Sequence, residues 1–136
     1  MGGPKLHQSV GVLKYSYDSG YGYKLIVAVD QGISLFYRWL IPFWKVANPQ
    51  RYPAHISLVR KEIPKNLNVW GKYEGRKIKF SYSPDIQYDN KYWWLNVYCK
   101  ELEDIRVELG LPVGSKYTRP PDGHDHTFHI TIANRK

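Results

Sequence analysis

Residues 52–60 read YPAHISLVR, and a shorter version of the same pattern returns at residues 127–133 as TFHITIA. Each stretch contains a tetrad of histidine, aliphatic residue, hydroxyl residue and aliphatic residue, which begins at His55 in the first and at His129 in the second. Such alternation of polar and apolar residues is typical of a half-buried β-strand. Because residues two apart in a strand share a face, each imidazole should lie beside a hydroxyl while the aliphatic side chains enter the core.

The segments around the two tetrads follow the same order in both halves of the chain. In each half, two strand-like segments come first, a segment of helical spacing follows, and the tetrad strand comes last. The predicted strands before the tetrads cover residues 10–17, 23–29, 77–82 and 92–98. The pattern predicts an α+β fold in one domain over residues 1–136, with lobes at about residues 10–76 and 77–136 and a flexible segment at residues 1–9.

Two segments carry apolar residues at helical steps of three and four. In the first, Ser34 is the predicted N-cap and Pro42 bends or ends the helix. Its apolar stripe is predicted to face the core and consists of Leu35, Phe36, Trp39, Leu40 and Phe43. The second stripe ends at Gly110 and consists of Leu102, Ile105, Arg106 and Leu109.

Composition excludes several classes of protein. The chain has 136 residues, 43% of them hydrophobic, and its 20 Lys and Arg against 12 Asp and Glu leave a net charge of +8 with His neutral. These values exclude a disordered chain and a multidomain enzyme, and the positive charge favours an anionic partner. No leader peptide and no apolar run of about 20 residues are evident, and the lone Cys99 is interpreted as a buried thiol. We therefore expect a cytoplasmic protein with no membrane partner and no obligate protein partner.

Two tetrad strands side by side would place two imidazoles across a cleft. Imidazole has an unperturbed pKa of about 6.5, so one ring can act as a general base and the other as a general acid near neutral pH. Each strand also offers a hydroxyl as a hydrogen-bond donor next to its histidine. A single tetrad would be typical of a solvated strand face, but two copies in matching positions favour catalysis at a phosphodiester.

The paired tetrads resemble those of the two-histidine (2H) phosphoesterase superfamily, which includes LigT-type RNA cyclic phosphodiesterases. Residues 37–38, Pro42, residues 52–60 and residues 128–132 are also similar to small phage proteins of this superfamily. Those proteins are described as RNA-repair-like, or as anti-CBASS nucleases that destroy the cyclic oligonucleotide signals of bacterial immunity. The resemblance covers residues 10–134.

This resemblance implies two pseudo-symmetric antiparallel β lobes with helices packed outside and a central cleft. It implies that His55 and His129 are the acid and base, in an order that stays open, and that no metal or other cofactor takes part. Ser57 and Thr131 would bind the phosphate, although Ser57 stands where the superfamily more often has threonine.

The resemblance also implies the substrate and the place of action. The leading prediction is a metal-independent phosphodiesterase that hydrolyses cyclic di- or trinucleotides in the cytosol of a phage host. One alternative is an enzyme for 2′,3′-cyclic phosphates or 2′,5′ linkages at RNA ends. A second alternative is a noncatalytic sponge that sequesters a nucleotide or RNA.

Other residues are candidates for contacts with substrate. Aromatic rings can stack on bases and cations can hold phosphates, and on that ground the candidates are Tyr23, Trp70, Lys116 and Tyr117. Trp70 and Tyr73 lie in a basic run that is typical of either a nucleic-acid surface or a solvated face, with Lys61, Lys65, Lys72, Arg76, Lys77 and Lys79. A metal site at residues 124–129 is a further alternative, which strand alternation opposes because His126 and His129 would face opposite sides.

Overall fold

The computed structural model describes residues 5–121 and 128–135. In these residues it contains seven strands and two α-helices, which confirms the predicted α+β class. The strands are β1 (His7–Asp18), β2 (Gly22–Ala28), β3 (His55–Arg60), β4 (Lys77–Tyr82), β5 (Gln87–Tyr88), β6 (Tyr92–Tyr98) and β7 (Phe128–Asn134). The helices are α1 (Gln31–Trp39) and α2 (Lys100–Glu108), and 3₁₀ turns cover Phe43–Lys45 and Leu67–Val69.

All strand pairs are antiparallel, and the strand order is β4-β1-β2-β3-β7-β6-β5. Strand β4 also pairs with β6, through Ser81 with Tyr98 and Tyr82 with Val97. This additional pairing joins the two ends of the order, so the six longer strands form a closed ring and β5 is an addition on β6. The two histidine strands, β3 and β7, are neighbours in the ring.

The two halves of the chain share one core. Helix α1 of the first half packs against β7, and α2 of the second half packs against β3. Each helix therefore covers the histidine strand of the other half. The predicted boundary between residues 76 and 77 lies directly before β4, whose whole length pairs with β1. The fully buried members of the shared core include Leu13, Leu25, Val27, Ile56, Leu58, Ile78, Leu95, Val97, Leu102, Ile130 and Ile132.

The N-terminal segment differs from the prediction. Strand β1 begins at His7, and residues 7–9 pair with Tyr82, Ser81 and Phe80 of β4. Residues 7–9 are therefore part of the sheet instead of a flexible tail, because β4 offers them backbone partners that no local sequence pattern reveals. Strand β1 lies inside the sheet, between β2 and β4.

Helix α1 presents a different face to the core than its sequence predicts. Its buried apolar residues are Ile33 and Tyr37, and Ile41 continues the same four-residue step beyond the helix. The predicted core stripe is exposed instead, at 57% for Leu35, 58% for Phe36, 87% for Trp39, 53% for Leu40 and 88% for Phe43. This region carries two apolar stripes of equal period, so periodicity alone does not decide between them.

The cap of α1 also differs from the prediction. Asp30 is the N-cap, and its carboxylate accepts a hydrogen bond from the Gly32 N–H at 2.8 Å. Ser34 lies inside the helix, where its hydroxyl donates to the Gln31 carbonyl at 3.0 Å. Asp30 is the better cap because its side chain can accept from the first unpaired backbone N–H groups of the helix.

Helix α2 follows its predicted pattern. Leu102, Ile105 and Leu109 are buried, and the helix ends before Gly110, which has a φ of 81°. Cys99, at the N-cap of α2, is buried as predicted, and burial raises the pKa of its thiol. Each α-helix has nine residues, and neither is long and apolar enough to cross a bilayer within the described ranges.

Candidate active site

The pairing of β3 with β7 brings the two tetrads together. Ile56 is the partner of Ile130, and both side chains are fully buried beneath the sheet. The four polar residues next to this pair therefore share the opposite face. In an antiparallel register, His55 stands across from Thr131, and Ser57 stands across from His129. The two histidines are diagonal neighbours, which corresponds to about 7–8 Å between their backbones.

Each imidazole is held by a backbone carbonyl. Nδ1 of His55 lies 2.8 Å from the Pro53 carbonyl oxygen, and Nδ1 of His129 lies 3.1 Å from that of Thr118. A carbonyl oxygen only accepts hydrogen bonds, so Nδ1 is the donor in both contacts. Nε2 is then the basic nitrogen of the neutral ring, and both rings use the same tautomer.

Both histidine strands bulge at the fourth residue of their tetrad. In β3 the register with β2 skips Leu58, since Ile26 pairs with Ser57 and Leu25 pairs with Val59. In β7 the register with β6 skips Ile132 in the same way. A bulge increases the local twist and redirects side chains. Its repetition shows that the two halves share their backbone geometry as well as their side chains.

A buried arginine holds the first bulge. Arg106 of α2 is fully buried, and its Nη1 donates to the Leu58 carbonyl at 2.7 Å. The same guanidinium makes a two-pronged contact with Glu62 at 3.0 and 2.9 Å, and its Nε donates to the Pro112 carbonyl at 2.8 Å. Arg106 thus connects α2, the strand of His55 and the loop that leads toward His129.

Two polar side chains position the carbonyls that hold the imidazoles. Gln31, in the first turn of α1, makes two hydrogen bonds to the backbone of Ala54, which lies between Pro53 and His55. Thr118 is buried at 2% exposure, and its hydroxyl contacts the backbone of Ser115. Neither residue belongs to the tetrad pattern, so the sequence alone does not indicate their roles.

The tetrads lie in a cleft with a volume of about 1420 Å³ that is strongly basic. Among the described residues, its acidic lining residues are Asp18 and Asp89. Its cationic lining residues, besides histidine, are Lys24, Arg51, Arg60, Lys91, Lys116, Arg119 and Arg135. Low-dielectric walls of one charge sign concentrate oppositely charged ligands. The cleft is therefore suited to a ligand with several phosphates.

The pKa of His55 is lowered from its ordinary value. Burial is the main cause, because it disfavours the charged ring, and the positive charges of Lys24 and Arg60 act in the same direction. The hydrogen bond to the Pro53 carbonyl acts in the opposite direction. His55 is therefore neutral at pH 7, which is the form that a general base needs.

The structure brings six of the eight predicted site residues to one cleft. His55, Ser57, His129 and Thr131 line it together with Lys116 and Tyr117. The Lys116 ammonium lies 5.2 Å from the centre of the Tyr117 ring. These two residues belong to the loop whose Thr118 carbonyl holds His129.

Tyr23 and Trp70 are outside the cleft, contrary to the prediction. Their rings meet edge to face at 5.0 Å and pack against the core. Tyr23 shares its face of β2 with the buried Leu25 and Val27, so it points away from the cleft. Strand alternation decides the placement of Tyr23, whereas the prediction rested on residue type alone.

The basic run near Trp70 also lies outside the cleft lining. Lys72 pairs with Glu108 at 2.9 Å, and Arg76 pairs with Glu101 at 2.9 Å. Both partners belong to α2, so part of this positive charge is neutralised within the protein. The structure favours the solvated-face interpretation of the run.

The alternative metal site involves residues 124–126, which lie outside the described residues. Within residues 5–121 and 128–135, no group of three or more His, Cys, Asp or Glu side chains is arranged to hold a metal ion.

Comparisons with protein-family models, with curated proteins and with solved structures found no match to this chain. The geometry of the cleft is therefore the basis for assigning a function to this chain.

Proposed function

We propose that this protein is a metal-independent phosphodiesterase of the two-histidine kind, with cyclic di- or trinucleotides as its leading substrates. The observation that carries the proposal is the pairing of Ile56 with Ile130. This pairing supports a common site because it brings two imidazoles and two hydroxyls to one face of a basic cleft. The two imidazoles also share one tautomer. A bilobal 2H fold is part of the same proposal.

In the proposed mechanism, His55 is the general base, because its lowered pKa keeps the ring neutral. For a 3′,5′ linkage, Nε2 of His55 takes the proton of the neighbouring 2′-hydroxyl as that oxygen attacks phosphorus. The bond between phosphorus and the 5′ oxygen breaks, and protonated His129 gives its proton to the departing oxygen. The hydroxyls of Ser57 and Thr131 donate to the nonbridging oxygens as negative charge builds.

The products of this step are a 2′,3′-cyclic phosphate and a free 5′-hydroxyl. Opening of the cyclic phosphate by water would use the same two groups with their roles exchanged. An RNA-end 2′,3′-cyclic phosphodiesterase therefore remains the alternative function with the same chemistry. The size and charge of the cleft favour the larger cyclic nucleotides.

The experiment is a chromatographic assay with cyclic dinucleotides, cyclic trinucleotides and RNA carrying a 2′,3′-cyclic phosphate, all in the presence of EDTA. We expect linear products from the cyclic nucleotides. His55→Ala and His129→Ala should each lower kcat by roughly 10² to 10⁴, the usual contribution of one acid or base. His7→Ala is the matched control, because His7 lies on β1 beside Tyr82 and does not line the cleft.

The possible outcomes separate the candidate functions. Opening of the RNA terminal phosphate without cleavage of cyclic nucleotides would favour the RNA-end enzyme. Bound ligand with no product would favour the sponge. A histidine variant that folds and turns over at the wild-type rate would remove that histidine from the mechanism, and loss of activity in EDTA would contradict metal independence.

A further inference from the structure

The cleft extends far beyond the histidines and ends in two similar groups of side chains. Because β3 and β7 run in opposite directions, Arg60 marks one end and Arg135 marks the other. Counted along the neighbouring strands, which skip the bulge residues, Arg60 lies three positions and Arg135 four positions from the central pair of Ile56 and Ile130. At about 3.3 Å per residue, these separations are about 10 Å and about 13 Å. A single phosphate bound between the histidines would leave both ends unused.

The first end combines a tyrosine with two cations. Nε of Arg60 donates to the Tyr21 hydroxyl at 2.8 Å, and the Lys24 ammonium lies 5.8 Å from the centre of the Tyr21 ring. Lys24 of β2 is also the register partner of Arg60. The turn between β1 and β2 is fixed by Asp18, whose carboxylate accepts hydrogen bonds from the Gly20 and Tyr21 N–H groups at 2.7 and 3.1 Å.

The second end repeats this chemistry on a different turn. Nη1 of Arg135 donates to the Tyr88 hydroxyl at 3.2 Å, and its backbone N–H donates to the Lys91 carbonyl at 2.7 Å. The Lys91 ammonium lies 5.2 Å from the centre of the Tyr92 ring. Here Asp89 fixes the turn by accepting from the Lys91 and Tyr92 N–H groups at 3.0 and 2.8 Å.

Cations outnumber carboxylates at both ends of the cleft. Asp18 and Asp89, the acidic residues of the described lining, accept hydrogen bonds from the backbone of their own turns. The ion pairs between described residues involve Lys72, Arg76, Lys100 and Arg106, and none of these four cations belongs to either end of the cleft. The cations at the two ends therefore keep their charge for an anion.

We infer that the two ends are nucleotide subsites, one on each side of the scissile phosphate. The first subsite is formed by Tyr21, Lys24 and Arg60, and the second by Lys91, Tyr92 and Arg135. Each offers cations for a phosphate and an aromatic ring for a base. The inference rests on the proposed function, and it assigns the cleft to a cyclic oligonucleotide with a nucleotide on both sides of the bond that breaks.

The size of the cleft agrees with this assignment. Pockets for drug-sized ligands usually have about 300–1,000 Å³, whereas this cleft has about 1420 Å³. A mononucleoside 2′,3′-cyclic phosphate has one base and one phosphate. It would reach the histidines and at most one subsite, whereas a cyclic dinucleotide or trinucleotide presents nucleotides on both sides.

The test measures binding to the His129→Ala protein, in which cleavage is suppressed, by calorimetry. The probes are cyclic di-AMP, cyclic di-GMP, 3′,3′-cyclic GMP-AMP, cyclic tri-AMP and, as the one-sided ligand, 2′,3′-cyclic AMP. Arg60→Gln and Arg135→Gln are each expected to weaken the best cyclic oligonucleotide by about 10-fold or more, the usual effect of losing a charged hydrogen bond. Lys79→Gln is the control, because it removes one positive charge from an exposed position of β4 outside the cleft.

The double variant Arg60→Gln with Arg135→Gln should weaken binding of the cyclic oligonucleotide by the product of the two single factors, because the two sites are far apart. The affinity for 2′,3′-cyclic AMP should change in at most one of the two single variants. Unchanged affinity in either single variant, or failure of all four cyclic oligonucleotides to bind, would overturn the inference.

If the wild-type protein cleaves its substrate while both variants bind as tightly as the control, the subsites fail and the proposed function stands. If both variants weaken binding but the wild-type protein cleaves no probe, the proposed function fails and the subsites stand.

Discussion

At the scale of single residues, the two histidines have similar supports. Both rings are held through Nδ1 by a carbonyl from the segment next to their strand. His55 is half-buried, and its partial burial, together with the positive charges of Lys24 and Arg60, lowers its pKa. The lowered pKa fits His55 for the proposed role of general base.

The lowered pKa of His55 predicts how activity depends on pH. Protonation removes the general base, so kcat/KM should fall on acidification with a midpoint below about 6.5, the ordinary pKa of histidine. The measurement is the pH profile of kcat/KM, with the His55 ring followed by NMR in the same range. A midpoint at or above 6.5 would contradict His55 as the base.

The same shift predicts how stability depends on pH. The unfolded chain binds a proton at His55 at a higher pH than the folded protein does, so acidification favours unfolding. The contribution is fully present above about 6.5 and is lost as the pH falls through the pKa of the folded state. Urea unfolding should show a smaller loss of stability on acidification for His55→Gln than for the wild-type protein, and equal losses would argue against the shift.

At the scale of secondary-structure elements, α2 supports a strand that belongs to the other half of the chain. Arg106 is fully buried, and its guanidinium donates hydrogen bonds to Glu62 and to the carbonyls of Leu58 and Pro112. A buried ion pair gives little net stability, but removing one partner leaves an uncompensated charge. The pair is therefore important for where β3 lies.

Arg106→Met should lower the free energy of unfolding by about 3–5 kcal/mol, because it leaves Glu62 without its partner and two carbonyls without donors. Urea denaturation measures the change. Lys72→Met is the control, since it breaks an exposed pair with Glu108 and should have little effect. The double variant Arg106→Met with Glu62→Met should recover part of the loss. A single-variant loss no larger than that of the control would show that the pair does not hold the bulge.

At the scale of the whole molecule, the cleft is rich in positive charge. The chain carries a net charge of +8, and seven cations line the cleft against two carboxylates among the described residues. Attraction of this kind is screened by salt, with a Debye length of about 10 Å at 0.1 M. The field should therefore act mainly on the binding of an anionic substrate.

We expect kcat/KM for a cyclic dinucleotide to fall as KCl rises from 50 to 300 mM, mainly through a higher KM. Steady-state kinetics at fixed pH measure this dependence. A matched series with sucrose in place of salt controls for changes in solution properties other than ionic strength. A value of kcat/KM that does not change with salt would argue against electrostatic attraction of the substrate.

The sequence alone determined the fold class, the two tetrad strands and the face that each histidine shares with its hydroxyl. These features depend on alternation between adjacent residues, which a single strand already imposes. Tertiary structure decided what local periodicity cannot express. It set the register that brings Ile56 opposite Ile130, the core-facing stripe of α1 and the packing of Trp70 against Tyr23.

Tertiary structure also supplied the residues that hold and extend the site. They are Gln31, Arg106 and Thr118, which support the histidine strands, and Tyr21, Arg60, Tyr92 and Arg135, which line the ends of the cleft. Their roles arise from contacts between segments far apart in the chain. The free energy of such contacts depends on packing and strand pairing in three dimensions. A pattern of neighbouring residues therefore does not predict these contacts.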